Sequence, residues 1–149
     1  MKRVFIVHCW GGRSDGAWIP WLKGELEKSR FEVHALDMPN PDRPMIEDWV
    51  GFLAKNVQFP DSNTYFVGHS IGCQTILRYL ETVNTPVGGA VFVASWFNLE
   101  DLEGYKEAEI ARPWINTPID LKKVKTVLPK STLIISDNDP FGCFEENKK

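Results

Sequence analysis

Short runs rich in apolar residues recur along the chain. They cover residues 4–7, 32–36, 64–67, 90–94 and 132–135. Runs of this length that end in polar or glycine-containing turns are typical of strands buried on both faces of a parallel sheet. The pattern therefore predicts five parallel strands.

Amphipathic helices are predicted between most of these runs. Apolar residues follow helical spacing in three places, at Trp18, Leu22 and Leu26, at Ile46, Trp49, Val50, Leu53, Ala54 and Val57, and at Cys73, Ile76, Leu77 and Leu80. Strands that alternate with helices form right-handed crossovers, which place helices on both faces of the sheet. The predicted fold is α/β, a three-layer doubly wound parallel sheet with strand order 2-1-3-4-5, in which residues 1–149 form a single domain.

Composition and charge narrow the class of protein. A chain of 149 residues with 43% hydrophobic content has the size of one domain, and its net charge of -3 comes from 17 basic and 20 acidic residues spread along it. This charge favours neither nucleic acid nor an anionic membrane as a partner. The three cysteines are too widely spaced for a disulfide framework or a metal site, and no apolar run is long enough to span a membrane. We expect a cytoplasmic protein without metal or cofactor.

The sequence GHSIG at residues 68–72 stands between the third predicted strand and a predicted helix. A sharp turn there needs small neighbours, which Gly68 and Gly72 provide, and it holds the hydroxyl of Ser70 above the sheet. The backbone N–H of Ile71 then lies at the helix N-terminus, where it can stabilise an oxyanion. An incidental serine in a glycine-rich turn is the alternative, but the position between strand and helix favours a nucleophile.

The ends of strands one and five contribute further candidates, because ligands bind at the carboxyl edge of such sheets. The loop HCWGG at residues 8–12 offers the amide of Trp10 as a second oxyanion donor, with Gly11 allowing a close approach of the backbone. The loop SDNDP at residues 136–140 contains Asp137 and Asp139, although its composition also fits an ordinary turn.

Other chemistry in these loops is less well supported. A cysteine nucleophile, or a metal site formed by His8, Cys9 and His69, lacks the spacing that either would need. Tryptophan side chains fit either the wall of an apolar acyl pocket or the protein core. Three of them are in question: Trp10, Trp96 and Trp114.

Six segments carry a resemblance to a known family. They are HCWG at 8–11, WIPWLK at 18–23, DMPNP at 37–41, GHSIG at 68–72, RPW at 112–114 and DPF at 139–141. On these segments the chain resembles, over essentially its whole length, the small serine hydrolases of the α/β-hydrolase superfamily that include retinoblastoma-binding protein 9 and its bacterial relatives. The resemblance implies a reduced α/β-hydrolase fold, with Ser70 as nucleophile and Asp139, rather than Asp137, as the acid that orients a catalytic histidine.

The general base is the unresolved member of this triad. Hydrolases of this fold carry the histidine after the acid, yet all histidines of this sequence precede Asp139. The resembling family continues through another strand, a loop with the histidine and a final helix. We therefore expect this chain to be truncated at its C-terminus, with the last family strand and helix missing, the base beyond residue 149, and residues 145–149 starting a helix.

The histidines that are present have other expected roles. His69 precedes the nucleophile in the same turn and is expected to pack beside it. His8 is expected to orient the loop after strand one, although it ends a strand near Ser70 and is the alternative candidate for the base. His34 is expected to be an ordinary strand residue.

Two functions remain open from the sequence. The first is a serine hydrolase that cleaves a small-molecule ester or amide through a Ser-His-Asp triad. The second is a non-catalytic α/β-hydrolase-like module that keeps the pocket and binds a protein partner.

Overall fold

Within the described residues, five parallel strands form one sheet. In the computed structural model, which describes residues 1–99, 102 and 104–148, the strands are β1 (Arg3–Val7), β2 (Glu32–Leu36), β3 (Thr64–His69), β4 (Gly89–Val93) and β5 (Ser131–Ile134). Their order in the sheet is β2-β1-β3-β4-β5, and all four neighbouring pairs are parallel. The predicted parallel sheet and its strand order are confirmed, and the predicted strand ends differ from the observed ones by at most two residues.

Six helices occur in the described residues. They are α1 (Ile19–Lys28), α2 (Ile46–Val57), α3 (Ile71–Leu80), α4 (Tyr105–Asn116), α5 (Leu121–Val127) and α6 (Phe144–Lys148). The three helices predicted from apolar spacing are confirmed, whereas α4 and α5 were not predicted. The helix expected at residues 145–149 is confirmed up to Lys148, and Lys149 lies outside the described residues. Helices in this part of the chain are all too short or too polar to cross a membrane.

The two faces of the sheet carry separate hydrophobic clusters. Phe5 and Phe66 point towards α2, α3 and α5, where every residue of α3 is buried. Val4, Ile6 and Val67 point to the other face, which α1 covers. Successive strand residues alternate between the faces, so β1 and β3 are buried on both sides. These two strands therefore hold the loops at their carboxyl ends in fixed positions.

The α1 side of the sheet is less completely covered than the α3 side. An apolar groove of about 660 Å³ is lined there by α1 and by β3, β4 and β5. Trp21 of α1 and Ile134 of β5 are 68% and 55% exposed. Because β5 is an edge strand whose four residues are all exposed, this end of the sheet contributes little to the core.

Candidate active site

Ser70 occupies a strained turn between β3 and α3. Its backbone has φ 55° and ψ -119°, a conformation that non-glycine residues rarely adopt and that costs about 1–3 kcal/mol. The Ser70 amide donates a hydrogen bond to the Val93 carbonyl oxygen at 2.9 Å, which fixes the turn to the end of β4. The turn places the serine at the carboxyl edge of the sheet, where the sequence predicted it.

The glycines on either side make this turn sterically possible. A Cβ at Gly68 would lie 2.8 Å from the backbone of Cys73, and a Cβ at Gly72 would lie 2.3 Å from the carbonyl oxygen of Val7 and 2.8 Å from that of His8. Contacts this short with backbone atoms exclude a side chain at both positions. The two glycines therefore allow α3 to begin directly against the end of β1.

The two predicted oxyanion donors are the amides of Ile71, at the start of α3, and of Trp10, in the loop after β1. Ile71 is the first residue of α3, whose initial amides have no partner within the helix. The loop after β1 is closed by bonds from the Gly11 amide to Pro41 and from the Gly12 amide to Cys9, and Gly11 has φ 69°. No hydrogen bond from the backbone N–H of Ile71 or Trp10 is found among the described residues.

A cleft of about 800 Å³ brings Ser70 together with Asp139. Much of its wall is apolar and comes from the loops after β1, β4 and β5: Trp10, Trp96, Leu99, Leu102 and Phe141. Trp114 does not line this cleft and packs on Trp49 in the core. Of the three tryptophans in question, two line the cleft and one fills the core.

The two acidic candidates after β5 differ in position. Asp139 is half-buried and lines the cleft, and its Oδ1 accepts a hydrogen bond from the Phe141 amide at 2.9 Å. Asp137 is exposed and does not line the cleft. The location therefore favours Asp139 as the acidic residue of the site.

His8 is only 1% exposed, and both of its ring nitrogens are hydrogen-bonded. Nε2 accepts a bond from the Met38 amide at 3.0 Å, so the proton lies on Nδ1, which donates to the Cys9 carbonyl oxygen at 2.7 Å. Burial lowers the pKa of this imidazole below its ordinary value. In this arrangement His8 orients two loops and has no free nitrogen to accept a proton from Ser70.

The other histidines are also engaged elsewhere. His69 lines the cleft, is half-buried and packs its ring 5.3 Å from that of Trp18. His34 lies on β2, where its Nε2 is 2.7 Å from a carboxylate oxygen of Glu32. Within the described residues, no hydrogen bond joins Ser70 to any of the three histidines of the sequence.

The group that does contact the hydroxyl of Ser70 is the indole of Trp96. Its Nε1 donates a hydrogen bond to Ser70 Oγ at 3.2 Å. No motif or spacing pattern indicated this contact, and Trp96 was predicted only to line a pocket or to fill the core. Its place just after β4, at the same sheet edge as Ser70, was the available clue.

The cysteine and metal alternatives gain no support from the site. Burial raises the pKa of the Cys9 thiol, which reduces the fraction present as nucleophilic thiolate. Burial raises the pKa of Cys73 still more, to values at which the thiol stays protonated. No cluster of three or more His, Cys, Asp or Glu side chains suited to a metal occurs in the part of the chain that the structure describes.

Folding stability is expected to fall as the pH drops from about 7.5 to about 5. Burial lowers the pKa of both His8 and His69 below the ordinary value of 6.5, so the unfolded chain binds more protons than the folded chain in this range. The contribution of these two histidines to the free energy of unfolding is complete above pH 6.5, the pKa of histidine in the unfolded chain. It is lost as the pH falls towards their lower pKa in the folded protein. The lowered pKa of Asp37 acts only in more acidic solution.

Urea denaturation at the two pH values measures this effect. The midpoint should be lower at the acidic pH in the wild type, and the difference should shrink in His8→Asn. An unchanged or higher midpoint at the acidic pH would contradict the burial argument.

Comparison with known proteins connects this geometry to a family. The family model described as serine hydrolase matches residues 4–149. The putative hydrolase YdeN of Bacillus subtilis (strain 168) is 38% identical over 97 residues, which is 64% of this chain and 51% of that relative, or about half its length. Serine hydrolase RBBP9 of Rattus norvegicus is 27% identical over 151 residues, covering 99% of this chain and 77% of that protein.

Solved structures agree with the sequence comparisons. The crystal structure of the ydeN gene product from B. subtilis superposes with a TM-score of 0.89 at 29% identity, covering 99% of this chain and 78% of that one. A phospholipase/carboxylesterase from Dyadobacter fermentans has a TM-score of 0.56 at 14% identity over 91% of this chain and 81% of that one, and it shows a shared fold alone. The predicted resemblance to RBBP9 and its bacterial relatives is confirmed, and the chain belongs to the serine hydrolase family.

Proposed function

We propose that this chain carries the nucleophile, the oxyanion donors and the acid of a hydrolase that cleaves esters or amides of small molecules. The observation that carries the proposal is the strained conformation of Ser70, at φ 55°, in a turn between a buried strand and the N-terminus of α3. This conformation supports the proposal of a nucleophile elbow, a turn that keeps a serine hydroxyl exposed above the sheet. Membership of the serine hydrolase family supports the same reaction class.

In the proposed reaction Ser70 Oγ attacks the carbonyl carbon of the substrate while a base takes the hydroxyl proton. The carbonyl oxygen becomes an oxyanion, which the amides of Ile71 and Trp10 stabilise. Collapse of this intermediate expels the alcohol or amine and leaves an acyl group on Ser70, which water then releases. Asp139 would orient the histidine that moves the protons. Among the described residues, none of His8, His34 and His69 is hydrogen-bonded to Ser70.

The cleft suggests the kind of acyl group that fits. Its wall near Ser70 consists largely of Trp10, Leu99, Leu102 and Phe141, and the charged side chains that line it are Glu107 and Asp139 among the described residues. An apolar acyl chain would gain free energy by leaving water for this surface, whereas an anionic chain would meet two acidic groups. We therefore propose uncharged, apolar acyl groups.

Labelling with a fluorophosphonate tests the assignment of Ser70. In the protein as its gene encodes it, we expect one covalent adduct on the peptide that contains Ser70, and Ser70→Ala should abolish it. Ser95→Ala is the matched control, because Ser95 is a buried serine near the same sheet edge whose hydroxyl bonds to Asn147. Labelling that persists in Ser70→Ala would refute the nucleophile.

A non-catalytic interaction module is the second candidate. The observation in its favour is that the hydroxyl of Ser70 contacts the indole of Trp96 and, among the described residues, no histidine. The labelling experiment separates the two functions, because a protein with an inactive serine does not react with a fluorophosphonate at an appreciable rate.

A further inference from the structure

The indole of Trp96 is held against the nucleophile in a buried position. Trp96 is 2% exposed, and its Nε1 lies 3.2 Å from Ser70 Oγ. An indole N–H can only donate a hydrogen bond, so the serine oxygen must accept it. The hydroxyl proton of Ser70 then has to point away from Trp96.

A buried polar network fixes the backbone of Trp96. Gln74 of α3 donates from Nε2 to the Trp96 carbonyl oxygen at 3.1 Å. Its Oε1 accepts two bonds from Arg78, at 3.2 and 2.9 Å from Nε and Nη2. Arg78 also donates to the carbonyl oxygens of Trp114 and Thr117, at 2.9 and 2.8 Å. The network ties Trp96 to α3, the helix that begins at the nucleophile.

The chain reaches Trp96 through a second strained residue. Ala94 has φ 50°, which is unfavourable for alanine, and it follows directly after β4. Its amide donates to the Ile134 carbonyl oxygen at 2.8 Å, so the strained backbone is anchored to β5. Strain of this kind persists when the surrounding structure enforces it, and it is common at functional sites. Here it occurs at the bend that leads to the indole.

The chemical effect of the indole follows from the charge that Ser70 acquires. The hydroxyl oxygen becomes more negative as its proton leaves, and a hydrogen bond to a charged acceptor is roughly twice as strong as one between neutral groups. The Trp96 N–H therefore stabilises the ionising oxygen more than the resting hydroxyl. It also leaves the hydroxyl proton directed elsewhere, where a base can take it.

We propose that Trp96 orients the hydroxyl of Ser70 and promotes its ionisation, in addition to its role in the cleft wall. The expected effect on the reaction rate of Ser70 rests on the proposed function, in which Ser70 is the nucleophile. The contact itself can be tested without any activity, so the two hypotheses can fail separately.

The kinetic test compares two tryptophan variants. Trp96→Phe keeps a ring in the site and removes the N–H, and we expect the rate constant for fluorophosphonate labelling to fall about tenfold. Trp49→Phe is the control, because Trp49 is equally buried and its Nε1 donates to the Pro39 carbonyl oxygen at 2.8 Å, away from the cleft. A labelling rate in Trp96→Phe equal to that of the wild type and the control would overturn the proposal.

The structural test uses the indole N–H resonance of Trp96 in ¹⁵N-labelled protein. In Ser70→Ala this resonance should shift and its exchange with water should become faster, while the Trp49 indole resonance stays in place. An unchanged Trp96 resonance would overturn the proposal even if Ser70 is reactive. A shifted resonance in a protein that does not react would support the hydrogen bond and refute the proposed hydrolase function.

Discussion

Gly72→Ala is expected to lower the free energy of unfolding by about 3 kcal/mol or more. The added Cβ would lie 2.3 Å from the Val7 carbonyl oxygen and 2.8 Å from that of His8, both backbone atoms. Neither can move easily, because β1 is hydrogen-bonded between β2 and β3 in the middle of the sheet. Relief would require α3 to shift away from β1, which would open the buried interface of the most buried helix. Urea denaturation followed by circular dichroism measures the loss.

Gly51→Ala is the matched control for this prediction. Gly51 lies within α2, and a Cβ there would have no neighbouring atom within 4 Å. Alanine in a helix interior is favoured over glycine by roughly 0.5–1 kcal/mol, so this variant should be slightly more stable than the wild type. Equal stability of Gly72→Ala and the wild type would show that the end of β1 is not packed against α3 as described.

The order of the sheet was predictable because its signals are local and repeated. Each strand run is short and apolar, and the helices between them carry regular stripes such as Trp49, Leu53 and Val57. The unpredicted helices lack that signal. In α4 the buried side chains are those of Ala111 and Trp114, with Pro113 between them, and α5 has only seven residues. Two buried positions in twelve residues do not form a stripe that a periodicity search detects.

The site was predictable only where chemistry depends on neighbours in sequence. The glycines on either side of Ser70 indicate a sharp turn, because the turn leaves no room for larger residues. The tautomer of His8 depends on the Met38 amide, thirty residues along the chain, and the hydrogen bond of Trp96 joins it to Ser70, 26 residues before it. Such long-range contacts leave no spacing pattern, so a single sequence does not show them.

The 149-residue chain by itself is expected to hydrolyse a short p-nitrophenyl ester no faster than its Ser70→Ala variant. His8 donates and accepts hydrogen bonds through its two nitrogens, His69 packs on Trp18, and His34 lies on β2 beside Glu32. Without a base the serine keeps the high pKa of an alcohol, and removing one triad member typically costs on the order of 10⁴ or more in turnover. The rates of the two proteins should therefore agree within error.

Adding free imidazole to the assay is the control for this prediction, because imidazole can replace a missing base. The cleft beside Ser70 is open and holds Asp139, so a small base from solution can enter it. If imidazole raises turnover in the wild-type chain and not in Ser70→Ala, the elbow and the oxyanion donors are in place and only the base is lacking. Turnover that depends on Ser70 without imidazole, and disappears in His8→Gln, would instead show that His8 leaves the Met38 amide and acts as the base.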